Sequence, residues 1–325
     1  MKADRFGPPG EVLRLSEREW GPPPKGCLLV KVDACGTGLP DRLMTMGMYP
    51  LISKPPVTPG QEVAGTVVAI SEGSIFSVGD RVMGFTEMNS DLTFGGMADY
   101  ACLREALTLR VPDTLSMEEA AGFPVAFRTA YAGLVERMSV GSGEVLVVLG
   151  GAGSSGVAAI VLGKAIGATV IAVAGNDEKI EFCRNIGADH ALSYRSGDVV
   201  QTILDLTDGW GADAIFDPVG GDTGTKFLTA IARFGRFGMV GFAGGRWPTL
   251  DPLDMVLRSY SAVGIFGGAF TAEEDRAACD ALFALAETGK IRPPIGQIYS
   301  LEDAAAAIDA MSNPPAGKQV VRVRP

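Results

Sequence analysis

The chain has 325 residues, 47% of them hydrophobic and 20% charged, which rules against disorder and gives enough material for two compact units. A formal charge of -10 repels phosphate backbones and anionic lipid, so nucleic-acid and membrane-surface partners are not expected and any phosphate site must be local. The 43 glycines, against a usual share of about 7%, demand many tight turns or close backbone approaches.

The five cysteines, Cys27, Cys35, Cys102, Cys183 and Cys279, are odd in number, far apart and never in a C-x-x-C pair. They form neither a disulfide framework nor a zinc knuckle, and a reducing cytoplasm suits them. Residues 1–6 have no apolar run behind their charges, and no stretch reaches the ~18 to 20 apolar residues of a spanning helix, so neither secretion nor membrane insertion is expected.

In chain order, short β-like runs come first, at 28–32, 64–70 and 81–85, separated by Gly, Pro and Asp clusters that suit a small barrel. Ser116-Met117-Glu118-Glu119 is a capping box leading into an Ala-rich helical segment. Beyond Glu144 the texture alternates: strand 145–149, helix 157–166, strand 169–174, helix 177–185. Further candidates follow at 201–206, 214–217, 223–232, 236–240, 253–258 and 262–266. This alternation predicts a doubly wound parallel sheet. Two amphipathic helices, at 273–288 and behind Ser300-Leu301-Glu302-Asp303, and a strand at 319–323 form a tail expected to fold back on the N-terminal unit.

The strongest local signal is the apolar run 145–149 followed by Gly150-Gly151-Ala152-Gly153-Ser154-Ser155-Gly156-Val157. It satisfies G-x-G-x-x-G through Gly151, Gly153 and Gly156, and G-x-x-G-x-x-G through Gly150, Gly153 and Gly156. Glycine permits the sharp strand-to-helix turn and lets backbone reach a pyrophosphate, while the helix start offers unpaired N–H groups and a positive dipole end. Dinucleotide binding follows, with Gly150, Gly153, Ser154, Ser155, Gly156 and Val157 as the cradle.

The second strand of that domain ends in Gly175 and Asn176, with Lys179 beyond, and lacks the Asp or Glu that accepts the ribose hydroxyls of NAD. A lysine in a small polar mouth admits a 2′-phosphate that a carboxylate would repel, so NADP(H) is favoured. Asp177 or Glu178 serving the acidic role is the competing reading. Tyr194-Arg195, after the next strand, can close over the same phosphate.

With these residues in place, the chain resembles the quinone oxidoreductase branch of the medium-chain dehydrogenase/reductase superfamily over nearly its whole length. The matching pieces are Ala34-Cys35-Gly36, Gly47-Met48-Tyr49-Pro50, Pro59-Gly60-Gln61-Glu62-Val63-Ala64-Gly65, Gly79-Asp80-Arg81-Val82, Thr129-Ala130-Tyr131, the glycine turn, Gly187-Ala188-Asp189, Phe216-Asp217-Pro218-Val219-Gly220-Gly221 and Gly317-Lys318. The resemblance implies an α/β protein: a GroES-like β-barrel catalytic domain from residues 1–119 and 263–325, around a Rossmann NADP-binding domain at 120–262. It also implies that Thr129, Gly241, Phe242 and Ala243 flank the nicotinamide, that Phe266, Gly267 and Gly268 offer backbone to its carboxamide, and that Lys179 and Tyr194 meet the adenosine phosphate. Lys318 is counted among the cofactor's contacts on the same ground.

Zinc-dependent members of the superfamily carry a C-G-x-C-like segment, a G-H-E segment and a later Cys. Here the first two read Cys35-Gly36-Thr37-Gly38 and Gly60-Gln61-Glu62, and the four-cysteine lobe is missing from 85–98. The imidazole ligand is absent, so Cys35 is expected in the core, His190 as a surface or structural residue, and catalysis without metal. Two departures from the zinc-free relatives stand out: Gly38 where they often carry Asn, and Leu43 where many have a second tyrosine. Tyr49 is retained as the candidate for orienting or protonating substrate, in a pocket with Met44, Met46 and Met48. Without metal, placing a nicotinamide against an electron-poor carbon must carry the rate, which suits quinones and conjugated enones. An enoyl-thioester reductase of the same superfamily, or a cofactor-binding protein without turnover, stays open. A homodimer is expected through the β-branched segment 261–266.

Overall fold

The computed structural model describes all residues except 18, 20, 51, 53, 87–94, 196 and 325. It divides into two compact units, one of Met1–Val125 with Phe270–Pro325 and the other of Ala126–Ala269. The first unit extends to Val125, beyond a domain change at 119/120, because the helix Met117–Ala121 packs on the strands Cys27–Thr37 and Glu62–Ile70.

The first unit is a GroES-like barrel. Its sheet runs in the order Ile295–Ser300, Lys318–Arg322, Cys27–Thr37, Glu62–Ile70, Arg81–Thr86, Tyr100–Arg110, and the last strand returns to pair with Cys27–Thr37. Alternation builds the interior: Leu28, Val30 and Val32 point inward with Val63, Val67, Val82, Leu103 and Val321. The tail enters by pairing Lys318–Arg322 antiparallel to Cys27–Thr37, Gln319 opposite Thr37 and Val321 opposite Cys35. The helix Ala272–Glu287, capped by Thr271 and Glu274, lies on Tyr100–Arg110, where Arg276 donates to the carbonyls of Thr108 and Glu105.

The second unit is a Rossmann-type sheet in which every pairing is parallel. Its order is Ser261–Gly264, Ile231–Met239, Ala212–Asp217, Val145–Leu149, Thr169–Ala174, His190–Ser193. The first strand in the chain therefore sits between the second and the fourth, and this reversal opens a crevice at the carboxyl ends of the strands. Helices cover both faces, so Leu146, Val147, Val148 and Leu149 are all buried and the strand shows no alternation.

Local chemistry sets most boundaries. Ser116 accepts the Glu119 N–H at 3.2 Å while the Glu119 carboxylate takes the Ser116 N–H at 2.8 Å, which completes the capping box. Two expectations are corrected. The helix read at 223–232 stops at Phe227, passes through a 3-10 turn at Leu228–Ala230 and is already strand from Ile231, which pairs with Ala212 before a bulge. The strand Tyr100–Arg110 went unread, because Arg104-Glu105 interrupt its alternation where the barrel turns it from pairing with Cys27–Thr37 to pairing with Arg81–Thr86.

Candidate active site

The second unit brings most of the candidate residues to the carboxyl edge of its sheet. Val145–Leu149 runs into Gly150, whose φ of +60° favours glycine and whose added Cβ would meet Val219 at 3.0 Å. The helix Ser154–Ile166 then opens with Gly153 as its cap, earlier than the residue 157 read from the sequence. The Val157 N–H to Gly153 carbonyl bond, 2.8 Å, is the first of the helix, so the N–H groups of Ser154, Ser155 and Gly156 face the turn without an intrahelical partner. A Cβ on Gly156 would lie 2.3 Å from the Gly150 carbonyl oxygen. This position must be glycine for the turn to close over its own helix.

A second loop pair braces the turn. The Asp217 carboxylate, at the end of its strand, accepts the N–H groups of Val219 at 2.8 Å and Gly220 at 2.9 Å. Burial pushes this carboxyl up, the two N–H bonds oppose that, and its second oxygen has no partner among the described residues. Gly244 N–H bonds the Val219 carbonyl at 2.7 Å and Gly221 N–H bonds that of Arg246 at 2.7 Å, which ties Gly241, Phe242 and Ala243 to the Pro218–Val219 wall beside Gly150. Phe242 lies 5.1 Å from the ring of Trp247. Thr129, on the helix Pro124–Tyr131, stands 3.9 Å from the position of a Gly267 Cβ, so the Phe266–Gly268 segment and Thr129 come together. Phe266 is exposed.

At the end of Thr169–Ala174, a Gly175 side chain would meet the Tyr194 hydroxyl at 3.0 Å, and Asn176 caps the next helix by accepting the Lys179 N–H at 2.9 Å. The Arg195 guanidinium lies 5.5 Å from the centroid of the Tyr194 ring. Gly175, Tyr194 and Arg195 are thus neighbours at the strand end, and Asn176 joins them to the start of the helix that carries Lys179. Among the described residues neither Lys179 nor Arg195 is paired with a carboxylate, and Asp177 and Glu178 lie exposed in the first helical turn.

Tyr49 and Lys318 belong to the barrel unit. Lys318 is buried, its ammonium 2.5 Å from the Glu62 carboxylate and 3.0 Å from the Thr37 carbonyl, so its charge is neutralised within its own unit. Glu62 also accepts the Val125 N–H at 2.6 Å. Tyr49 packs on Met44, Ile52 and Val57, and its hydroxyl accepts a bond from the Gln61 amide at 3.1 Å. Burial raises its phenol, the Gln61 bond opposes this and the nearby Asp41 adds to it. Met44 is core, whereas Met48 is exposed. Asp41, on the helix Leu39–Thr45, accepts the N–H groups of Gly38 at 2.8 Å and Gly60 at 2.6 Å, and burial lifts its carboxyl to about 6.

Cys35 is fully buried beside Gly60, and His190 is exposed on its strand. Among the described residues no group of three or more His, Cys, Asp or Glu could hold a metal ion, and no helix is long and apolar enough to cross a membrane. Sequence reading missed the roles of Asp41, Gln61 and Asp217. Pro40-Asp41 after Gly38, with the look of a helix start, carried a usable signal; Gln61 carried none, because its partner depends on the barrel's folding.

Comparison with known proteins agrees with this geometry. Residues 24–113 match the family described as alcohol dehydrogenase GroES-like domain, and residues 156–284 the one described as zinc-binding dehydrogenase. Quinone oxidoreductase-like protein 2 of Bos taurus is 33% identical over 281 residues, 84% of this chain and 78% of its own. Quinone oxidoreductase of Homo sapiens is 31% identical over 94% of this chain and 92% of its own. A mycobacterial protein solved in complex with NADPH superposes with a TM-score of 0.88 at 28% identity, covering 99% of each chain. Barrel, parallel sheet, glycine turn and relatives converge: the chain belongs to the quinone oxidoreductase branch of the medium-chain dehydrogenase/reductase superfamily, a family of dinucleotide-binding oxidoreductases.

Proposed function

We propose that this chain is an NADPH-dependent reductase that delivers hydride to a quinone or a conjugated enone or enal without zinc. The observation that carries the reading is the segment after the second Rossmann strand, where Gly175 lies against Tyr194 and Arg195 against the Tyr194 ring, and where Lys179, on the helix capped by Asn176, and Arg195 have no carboxylate partner among the described residues. A 2′-phosphate is a dianion that such donors hold through charge-assisted bonds. NADPH bound along Gly150–Val157 supplies the hydride; the residues of the chain hold its diphosphate on helix N–H groups and grip its extra phosphate. The NADPH complex of the mycobacterial neighbour and the quinone oxidoreductase names of the relatives support the same assignment.

The barrel's donor set does not fit a catalytic zinc, which takes three protein ligands. Gly38 has no side chain, Gln61 is an amide engaged with Tyr49, and the Glu62 carboxylate is held by the Lys318 ammonium. Tyr49 is the side chain we assign to orienting the substrate oxygen.

Oxidation of NADPH by a panel of 1,4-quinones and 2-alkenals is the expected result, with NADH a poorer donor. Failure with every member of both panels, or turnover confined to crotonyl-type thioesters, overturns the reading. Lys179→Ala is expected to weaken NADPH binding about ten- to a hundredfold, the worth of a charge-assisted bond, and to leave NADH binding unchanged. An equal loss for both cofactors in fluorescence titration would place Lys179 outside the phosphate mouth.

The partner of the second unit, in the same proposal, is a second copy of this chain. Among the described residues Ser261–Gly264 ends its sheet with one edge unpaired, and the adjacent helix Pro252–Arg258 buries none of its residues, with Leu253 64%, Val256 74% and Leu257 74% exposed. An open strand edge beside an apolar helix is closed by two-fold pairing. Light scattering is expected to give a dimer for the wild type and a monomer for Val256→Glu/Leu257→Glu. A monomeric wild type contradicts the proposal.

A further inference from the structure

Gln61 stands where the zinc-dependent members have an imidazole, and its side chain is engaged in a different task. Its amide N–H donates to the Tyr49 hydroxyl at 3.1 Å. A phenol oxygen that accepts from one side keeps its own hydrogen for another partner. The direction of this one bond therefore decides whether Tyr49 presents a proton or a lone pair to whatever it meets.

The backbone under Gln61 is fixed from every side. Gly60 N–H goes to the Asp41 carboxylate at 2.6 Å, and the Gly60 carbonyl accepts from the Thr86 hydroxyl at 2.9 Å and from the Gly96 N–H at 2.7 Å. The Gln61 carbonyl accepts the Thr86 N–H at 2.9 Å. Gly60 has φ of +107°, and a Cβ there would press on the Cys35 sulfur at 2.6 Å, so the residue before Gln61 cannot relax by carrying a side chain. On the other side Tyr49 is seated on Met44, Ile52 and Val57. Donor and acceptor are both held by the fold, which is the condition for a hydrogen bond to set orientation.

We propose that Gln61 is a positioning residue that occupies the acceptor side of the Tyr49 hydroxyl and so turns its O–H toward the carbonyl oxygen of the substrate. The inference rests on the reductase reading above, in which Tyr49 meets substrate. It gives Tyr49 a donor role: as hydride arrives at the electron-poor carbon, negative charge grows on the substrate oxygen and the phenol bonds to it.

The test compares the wild type with Gln61→Leu, Gln61→Glu, Tyr49→Phe and Gln61→Leu/Tyr49→Phe, each checked for folding by circular dichroism. Gln61→Glu keeps shape and size but replaces the donor by an acceptor, so a purely packing role would leave it unharmed. With NADPH and a 1,4-quinone, kcat is expected to fall about threefold to tenfold in both Gln61 single variants, the range of one oriented hydrogen bond. KM for NADPH stays unchanged, and Gln61→Leu adds no further loss to Tyr49→Phe. A second readout needs no turnover: the tyrosinate absorbance titration of Tyr49, taken as the difference from Tyr49→Phe, moves to higher pH when the Gln61 donor is removed. A Gln61→Glu enzyme as fast as the wild type, losses that multiply in the double variant, or a Tyr49 titration that does not move would each overturn the proposal. If the wild type oxidises NADPH with neither panel of acceptors, the reductase reading fails, and the tyrosinate titration alone decides whether Gln61 donates to Tyr49.

Discussion

Gly156→Ala is expected to raise the dissociation constant for NADPH by about tenfold to a hundredfold, the equivalent of the ~1 to 3 kcal/mol that overpacking costs at a site without room to adjust. The added methyl would sit 2.3 Å from the Gly150 carbonyl oxygen and 2.8 Å from the Gly151 Cα, both backbone atoms of the turn itself. Relief requires the turn to lift away from the helix start, which carries the N–H groups of Ser154, Ser155 and Gly156 off the diphosphate. Ser154→Ala, which adds no atom to the crowded turn, serves as the control and is expected to bind within about threefold of the wild type, the effect of at most one weak hydroxyl contact. Isothermal titration of the two variants decides the matter. Equal affinities would show that the diphosphate lies elsewhere.

Lys318→Met is expected to destabilise the barrel unit by about 3 to 5 kcal/mol, because it strands the Glu62 carboxylate, 2% exposed, without its counter-charge. The Thr37 carbonyl loses its donor at the same time. Glu62→Gln in the wild-type background strands the ammonium instead and also weakens the acceptor of the Val125 N–H. The double variant Lys318→Met/Glu62→Gln removes both charges and is expected to recover a large part of the loss, since the cost of a broken buried pair is mostly that of the orphaned ion. Urea denaturation followed by tyrosine and tryptophan fluorescence reports the midpoints. Additive losses in the double variant would mean that the two groups do not interact.

Features written in local chemistry were legible in the chain. Strand Val145–Leu149 carries its burial in an unbroken apolar run, Ser116 and Glu119 announce a capping box four residues long, and Gly156 stands where a Cβ would strike the Gly150 carbonyl of the turn. The end of the strand Thr169–Ala174 was legible too, with Gly175 and Asn176 in place of a carboxylate and Asn176 capping the next helix. What escaped depends on contacts made by folding. Lys318 reaches Glu62 only once the last strand has paired with Cys27–Thr37, and sequence proximity gives no hint that its charge is engaged there. Tyr100–Arg110 reads as broken because its two halves pair with different strands of a closed barrel. Gln61 was visible only as the loss of an imidazole, while its bond to Tyr49 depends on where Asp41 pins Gly60.

In the proposed function the glycine turn holds a diphosphate, while Lys179, Tyr194 and Arg195 hold an extra phosphoryl group. Crystals grown with NADPH test it most directly. Diphosphate density is expected against the N–H groups of Ser154 to Gly156, with a 2′-phosphate within bonding distance of Lys179, Tyr194 and Arg195. A cofactor bound with its adenosine phosphate turned away from those three side chains, or a crevice left unfilled at saturating NADPH, would contradict it.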